Sequence, residues 1–292
     1  MGRKKKKERT PVVFPQVQVT IESIDLDANG IGHVDGKVHF IDGAITGETV
    51  VAEITRVKPS YSKGRTLQVL NTVSTRTTPK CPHYGVCGGC AMQHIETNAQ
   101  VAIKNRALED LLQRIGKQKP EQMMPPIYGS FWGYRHRARL STRFVIKKDR
   151  FFVGFHEKAS SYVADMQECH VLPKHVSNML VPLGNMMVTL SIYMRLPQIE
   201  LAVGDGVTAM VLRHLEPLSE TDLDTLRTFG NEWGVDWWLQ PGGPATAHRL
   251  EADKPVDLTY RIPSFGIRMR FRPTDFTQVN HMINDAMITR AV

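Results

Sequence analysis

Four cysteines constrain the fold of this chain more than any other feature of its sequence. Three lie in the segment CPHYGVCGGC and one lies far along the chain in QECHVL; they are Cys81, Cys87, Cys90 and Cys169. Gly88 and Gly89 carry no side chain and allow the backbone to wrap tightly around a metal centre. Three close ligands and one remote ligand would complete a four-cysteine site and hold two segments of one domain together.

The residues alone leave several interpretations of these thiols open. Structural zinc and an iron–sulfur cluster use the same thiolates, and the spacing does not choose between them. Disulfides are disfavoured because the chain has no secretion signal and the cytosol keeps thiols reduced. A redox dithiol at Cys87 and Cys90 would leave the other two cysteines unexplained. Neighbouring histidines could replace a thiolate, although such residues more often lie outside the ligand set; they are His83, His94 and His170.

The length and net charge of the chain limit the number of its domains and the kind of partner it can bind. A chain of 292 residues with 41% hydrophobic residues can build two or three domains with real cores. An excess of 37 Lys+Arg over 29 Asp+Glu gives a net charge of +8, which modestly favours a polyanionic partner. No segment approaches the roughly 20 apolar residues that span a bilayer, and MGRKKKKERT is not followed by a signal-peptide core. We expect a cytosolic protein with a flexible basic tail that either solubilises the chain or touches phosphate.

The segment from residue 12 to residue 70 has the pattern of a small β-barrel. Short β-type runs such as VQVTIESID and KVHFIDG are separated by glycine turns, with a polar break at PSYSKGR before TLQVL. This pattern predicts a five-stranded barrel of the OB type. The simpler interpretation is a structural barrel with a solvated loop. The more specific one is an oligonucleotide-binding barrel that uses Lys58, Lys63 and Arg65.

Residues 71–270 combine helical and strand signals and predict an α+β domain. The apolar spacing predicts a helix over residues 97–116, capped by Thr97 or Asn98. The segment QIELAVGDGVTAMVLRHL predicts a hairpin that turns at residues 204–206.

Two further helices are predicted towards the end of the sequence. Ser219 and Asp222 fit a capping box for a helix that precedes the strand-like segment VDWWLQ. A last helix is predicted to begin near Asn280, and the sequence stops within it at Val292. Because helices seldom end without a cap, we expect the sequence to be truncated.

A run of arginines is the best sequence candidate for an RNA-binding strand. In YRHRARLSTR, Arg135, Arg137 and Arg139 alternate with other residues, which in a strand places three guanidinium groups on one face. Such a face could grip phosphates, or it could be a charged strand edge that prevents aggregation. The aromatic residues beside it fit a core better than a stacking platform; they are Phe131, Trp132 and Tyr134.

These motifs occur in the order found in the cluster-containing RNA uracil-C5 methyltransferases, above all those that act on bacterial 23S rRNA. NGIGHVDGKVHFIDGAITGETVVAEI resembles the family's TRAM barrel, and CPHYGVCGGCAMQH resembles its cysteine segment. YRHRARLS and VGFHEKASSYVADMQECHVL are similar to its central domain. FRPTDFTQVN is similar to the entrance of its methyltransferase domain, although RPTDF lacks the Ser-Pro order expected before the glutamine. The resemblance covers essentially the whole chain.

The resemblance implies four segments: a basic tail at 1–11, a TRAM barrel at 12–70, a central α+β domain at 71–270, and the start of a Rossmann-like methyltransferase domain at 271–292. It implies that the four cysteines hold a [4Fe-4S] cluster and that Gln278 contacts S-adenosylmethionine. It also implies that Phe276 contacts the target site and that 23S rRNA is the partner. We expect a monomer that does not interact with membranes.

In this family a thiolate attacks C6 of a flipped uracil, a methyl group is transferred to C5, and a base removes the C5 proton. The resemblance assigns all four cysteines to the cluster, so the chain is predicted to hold no catalytic residue and to be inactive alone. The alternatives are a non-catalytic RNA-binding module with a structural four-cysteine metal site, and a tRNA uracil-C5 methyltransferase. The cluster could also be a redox sensor rather than a scaffold.

Overall fold

The computed structural model describes residues 14–253 and 257–292, so the predicted tail at residues 1–11 lies outside the described residues. The chain forms two compact units. Within the described residues, the first comprises 14–78 and 91–123, and the second comprises 79–90 and 124–292. The domain boundaries predicted after residues 70 and 270 stay predictions.

A six-stranded sheet forms most of the first unit. Its strands are β1 (Gln16–Thr20), β2 (Ser23–Ile24), β3 (Asn29–Val34), β4 (Lys37–Asp42), β5 (Thr49–Val57) and β6 (Tyr61–Asn71). They lie in the order β1-β5-β6-β4-β3-β2, and only β4 and β6 run parallel. Alternation in β5 buries Val50, Ala52 and Ile54 in the core of this unit. The predicted number of five strands is wrong, because the short strand β2 adds a sixth.

The last strand of this sheet differs from its prediction. The expected polar break at PSYSKGR is wrong, because most of that segment lies within β6. Gly64 does not mark a turn there. A Cβ at Gly64 would lie 2.6 Å from the carbonyl oxygen of Glu53, so the glycine allows β5 and β6 to approach closely.

The helix α1 (Thr97–Arg114) lies at the end of the first unit and confirms the predicted helix. Its predicted cap is wrong, because the side chain of Glu96 accepts the hydrogen bond from the Ala99 amide at 3.0 Å. No residue of α1 is buried in the described part of the chain, and Leu108 and Leu111 are exposed. The apolar stripe that predicts this helix is therefore not covered by the described residues.

The second unit is built on a mixed sheet. Its strands are β7 (Arg137–Val145), β8 (Arg150–Gly154), β9 (Gln198–Val203), β10 (Thr208–Arg213), β11 (Val235–Gln240) and β12 (His248–Arg249), in the order β12-β11-β10-β9-β7-β8. Only β10 and β11 run parallel, and α3 (Glu220–Trp233) connects them. The predicted hairpin of β9 and β10 is confirmed, as are the strand β11 and the capping box of α3. Strands and helices together bury Leu140, Leu183, Ile199 and Leu226.

One helix of this unit gives no clear signal in the sequence. The helix α2 (Lys174–Met187) contains Pro182 in its interior, which removes one backbone donor and normally indicates a break. It also contains Gly184, where a Cβ would lie 2.6 Å from the carbonyl oxygen of Phe151. Close packing on β8 therefore explains the glycine, and burial of one face of α2 compensates for its poor helix propensity.

The second unit ends with a hairpin of β13 (Thr259–Ile262) and β14 (Ile267–Arg270), followed by α4 (His281–Ala291). The predicted last helix is confirmed, and Asn280 caps it by accepting a hydrogen bond from the Ile283 amide at 3.1 Å. Of the helices in the described ranges, none has the length and apolar character needed to cross a bilayer.

Candidate metal centre and nucleic-acid surface

Tight turns shape the segment that contains the first three cysteines. The Tyr84 amide donates to the Cys81 carbonyl at 3.1 Å, and the Cys87 amide donates to the His83 carbonyl at 2.9 Å. The segment is held in place by the chain that follows β8, because the Gly88 amide donates to the His156 carbonyl at 2.9 Å. Backbone hydrogen bonds thus fix the conformation of this segment independently of any ligand.

The remote cysteine is brought to the same place. Cys169 is buried, and its amide donates to the Ser177 hydroxyl on α2 at 2.8 Å. Burial raises the pKa of the Cys169 thiol to about 11, and the nearby thiols of Cys90 and Cys81 add to this rise. Burial likewise raises the pKa of Cys87, with smaller contributions from the same two thiols. The four cysteines predicted to act together are therefore close enough to influence one another's ionisation.

The two glycines between Cys87 and Cys90 have the close surroundings that the sequence predicts. A Cβ at Gly88 would lie 3.2 Å from the His156 carbonyl oxygen, and one at Gly89 would lie 3.3 Å from the Phe155 ring. The Gly89 amide points to the Cys87 sulfur at 3.4 Å. Four soft sulfur donors in a backbone cradle without room for side chains suit a thiolate-bound metal group.

Two of the neighbouring histidines have other partners in the second unit. His83 Nε2 accepts a hydrogen bond from the Gln167 amide at 3.2 Å, and His170 packs edge-on against Trp132 with ring centroids 5.8 Å apart. His94 is buried in the first unit, at the end of the segment that precedes α1. Within the ranges that the structure describes, no group of three or more His, Cys, Asp or Glu side chains is placed to hold a metal ion.

The predicted arginine strand is only partly regular. Arg137 and Arg139 lie on one face of β7, opposite the buried Ala138 and Leu140, whereas Arg135 precedes the strand. β7 pairs with β9 along Arg137–Ser141 but with β8 only along Ser141–Val145, so the end of β7 that carries Arg137 and Arg139 lies beyond β8. The alternative of a charged sheet edge therefore stays open. Arg139 is exposed and pairs with Glu200 at 3.1 Å.

The other two arginines carry buried nitrogen atoms. Burial lowers the pKa of Arg137, and Glu200 and Asp275 offset part of this effect. Its Nη1 atom is buried without a hydrogen-bond partner among the described residues, and so is Nε of Arg135, whose guanidinium lies 5.5 Å above the Phe155 ring. Trp132 and Tyr134 pack against the core, as predicted.

The candidate cations of the first unit form a more exposed group. Lys58 lies in the turn between β5 and β6, and Lys63 and Arg65 lie on the outer face of β6. Arg65 pairs with Glu53 at 2.8 Å while 64% of its side chain stays exposed. The structure therefore groups these three residues on one β-hairpin, as the sequence indicates.

The segment before α4 presents its two candidate residues to solvent. Phe276 is 85% exposed and Gln278 is exposed, whereas Thr277 between them is buried. Alternation therefore turns both candidates outward. The binding roles expected of Phe276 and Gln278 stay predictions.

A ring stack beside this segment was not predicted. The rings of His136 and His281 lie 4.3 Å apart at an interplanar angle of 13°, and Tyr260 stacks on His281 at 5.2 Å. Burial lowers the pKa of His281 to about 4, and the neighbouring His136 adds to this effect. The three residues are far apart in the sequence, so no local pattern could have indicated the stack.

Comparison with known proteins shows which proteins this chain is similar to. The TRAM domain family matches residues 13–67. The 23S rRNA (uracil(1939)-C(5))-methyltransferase of Bordetella avium is 57% identical over 93% of this chain and 57% of its own length. The enzyme of that name from Polaromonas sp. is 52% identical over 97% of this chain and 59% of its own length. The resemblance predicted from the sequence is confirmed, and the chain spans just under three fifths of these relatives.

A solved structure gives the same fold. The tRNA (uracil-54, C5)-methyltransferase of Pyrococcus abyssi, in complex with S-adenosyl-L-homocysteine, superposes with a TM-score of 0.63 at 16% identity, over 94% of this chain and 64% of its own. At this identity the likeness concerns the fold and does not favour tRNA over rRNA as the substrate. The predicted truncation and inactivity are not supported by these comparisons.

Proposed function

We propose, on the strength of this homology, that the chain provides RNA recognition and a [4Fe-4S] centre for S-adenosylmethionine-dependent methylation at C5 of a uracil in 23S rRNA. The observation that carries the proposal is the 57% identity to a 23S rRNA methyltransferase over 93% of the chain. Proteins this similar over so much of their sequence share a fold and, as a rule, the surfaces that bind their substrate.

The four cysteines would hold the cluster. A zinc ion would bind its thiolates at about 2.3 Å and would require all four sulfur atoms around one point. A [4Fe-4S] cluster binds each thiolate to a different iron atom and spreads the sulfur atoms farther apart. What favours the cluster over zinc is the resemblance of CPHYGVCGGCAMQH to the cysteine segment of the cluster-containing methyltransferases. The four thiols also influence one another's pKa. Because methyl transfer needs no electron, we assign the centre a structural role that joins residues 81–90 to Cys169.

The exposed cations would bind the RNA backbone. Lys58, Lys63 and Arg65 on the TRAM hairpin can each neutralise a phosphate at little cost, because they are already in solvent. Arg137 and Arg139 would bind where the RNA meets the second unit. The exposed ring of Phe276 is suited to stack on an unpaired base, which is how proteins usually read single-stranded RNA.

S-adenosylmethionine would supply the methyl group, and the exposed side-chain amide of Gln278 would contact it. The reaction also needs a thiolate that attacks C6 of uracil. All four cysteines of this chain are assigned to the centre, so no thiol remains for that step. We therefore expect these 292 residues by themselves to bind RNA without methylating it.

The first experiment measures iron, acid-labile sulfide and zinc in the chain purified without oxygen, together with its visible spectrum. We expect about four irons and four sulfides per chain, and loss of both in Cys169→Ser. Ser177→Ala is the matched control, because it removes the hydrogen bond to the Cys169 amide and keeps all four thiols.

Binding of a 23S rRNA fragment is then compared between the native chain and Cys169→Ser. One zinc and no sulfide would refute the cluster. A Cys169→Ser variant that folds and binds RNA normally would refute its structural role.

A further inference from the structure

A cavity of about 560 Å³ in the second unit is not used by the proposed function. It lies between β11–β12 and the segment that runs from Asp257 to Asp275. Asp275, on its rim, directly precedes the exposed Phe276, and its charge influences Arg137. The cavity is therefore next to the segment that contains Phe276 and Gln278.

Aromatic and apolar side chains form one wall of the cavity. Trp238 and Phe271 line it and pack on the small cluster around Leu258. The Trp238 indole is fixed in its plane because its Nε1 atom donates to Asp236 at 2.8 Å. A rigid, half-buried indole at a cavity wall provides a flat surface for another ring, at little entropic cost.

Three guanidinium groups and three carboxylates also line the cavity. Arg249 is tied to Asp236 at 2.7 Å and is largely buried, so this ion pair is structural. Arg270 pairs with Asp257 through Nε at 2.8 Å, and 82% of its side chain stays exposed. Arg272 is exposed and places its guanidinium 5.9 Å from the Trp238 ring centroid. Arg270 and Arg272 are therefore the lining cations that stay exposed to an anion.

We propose that this cavity is a subsite for one nucleotide of single-stranded RNA. The base lies against Trp238 and Phe271, and the phosphate contacts Arg270 and Arg272. Aromatic stacking combined with arginine–phosphate contacts is the usual chemistry of single-strand recognition. The inference rests on the proposed function, since it takes RNA as the partner.

The test uses tryptophan fluorescence of the complete chain during titration with a single-stranded oligoribonucleotide of about 12 nucleotides. We expect quenching that is lost in Trp238→Phe, while the affinity of this variant stays within about threefold because phenylalanine can still stack. The double variant Arg270→Gln/Arg272→Gln should weaken binding about 10-fold and flatten its salt dependence. Arg143→Gln/Arg195→Gln removes the same charge from residues that do not line the cavity and should change affinity less than threefold.

The possible results separate the subsite from the proposed function. RNA binding with equal quenching in Trp238→Phe, and equal losses in the two double variants, would overturn the subsite while RNA recognition stands. No RNA binding by the native chain would refute both. Quenching of Trp238 by S-adenosylmethionine in competition with RNA would also overturn the subsite, because it would make the cavity a cofactor site.

Discussion

Both units bury guanidinium groups, and Arg76 of the first unit and Arg137 of the second differ in the hydrogen-bond partners they find. In the first unit, Arg76 donates to both carboxylate oxygens of the fully buried Glu48, at 2.6 and 2.7 Å, and to the Gly43 carbonyl at 2.8 Å. In the second unit, Arg137 is half-buried, and its Nη1 atom has no hydrogen-bond partner among the described residues.

The difference separates a structural arginine from a functional one. A buried guanidinium that is paired with a carboxylate is costly to remove, because the carboxylate would stay buried with no positive charge beside it. A buried donor without an acceptor costs stability as it stands, and such sites are concentrated where a protein binds something. We therefore expect Arg76 to determine stability and Arg137 to determine RNA affinity.

The largest expected effect is the loss of the Arg76–Glu48 pair. Arg76→Ala should lower the free energy of unfolding of the first unit by roughly 3 kcal/mol, because Glu48 stays buried without a cation. Hydrogen exchange of the β5 and β6 amides measures this change. Arg65→Ala is the matched control, since its pair with Glu53 is exposed and should contribute less than about 1 kcal/mol. Equal losses of stability in the two variants would contradict the structural role assigned to Arg76.

The next largest effect concerns Arg137. Arg137→Ala should reduce affinity for an rRNA fragment by roughly 30-fold, a loss of about 2 kcal/mol, and should leave the melting temperature unchanged or raised. Arg143→Ala is the control, because Arg143 is exposed on the same face of the same strand. A large fall in stability with little change in affinity would show that Arg137 is structural after all.

The second unit also contains a half-buried histidine, His281, whose protonation the fold disfavours. The pKa of His281 is lowered from 6.5 to about 4 in the fold, so between these values the unfolded chain binds a proton that the folded chain does not. Stability is thus complete above about pH 6.5 and falls as the pH decreases towards 4, by roughly 2 kcal/mol after allowance for partial exposure. His281→Phe keeps a ring between His136 and Tyr260 and should flatten this dependence in thermal melts. His248→Phe, at an exposed position, should not.

The sequence predicts local features of both units well. The Ser219–Asp222 capping box, the β9–β10 hairpin and the Asn280 cap are short patterns with one structural solution, and all are present. The helix α2 was missed because the signals of Pro182 and Gly184 are local, whereas the packing that overrides them is not. The sequence does not show that α2 packs on β8, because this contact depends on the folded sheet.

The same limit applies to the candidate sites. Three cysteines in ten residues predict a centre directly, and the fourth candidate follows because only one other cysteine exists in the chain. The ring stack of His136, Tyr260 and His281 and the cavity beside Trp238 depend on side chains from separate elements. Arginine alternation gave the face of Arg137 and Arg139, but it could not show which guanidinium is buried.

The smallest expected effect tests the exposed cations of the TRAM hairpin. Lys63→Ala/Arg65→Ala should reduce RNA affinity about fivefold and lower the slope of log affinity against log salt by about 1.5, because two phosphates lose a cation. The loss should be similar for RNAs of different sequence, since phosphate contacts carry no base information. Lys104→Ala/Arg106→Ala removes the same charge from exposed positions on α1. An equal loss in that control would mean that net charge alone attracts RNA to the first unit, and that β6 has no specific role.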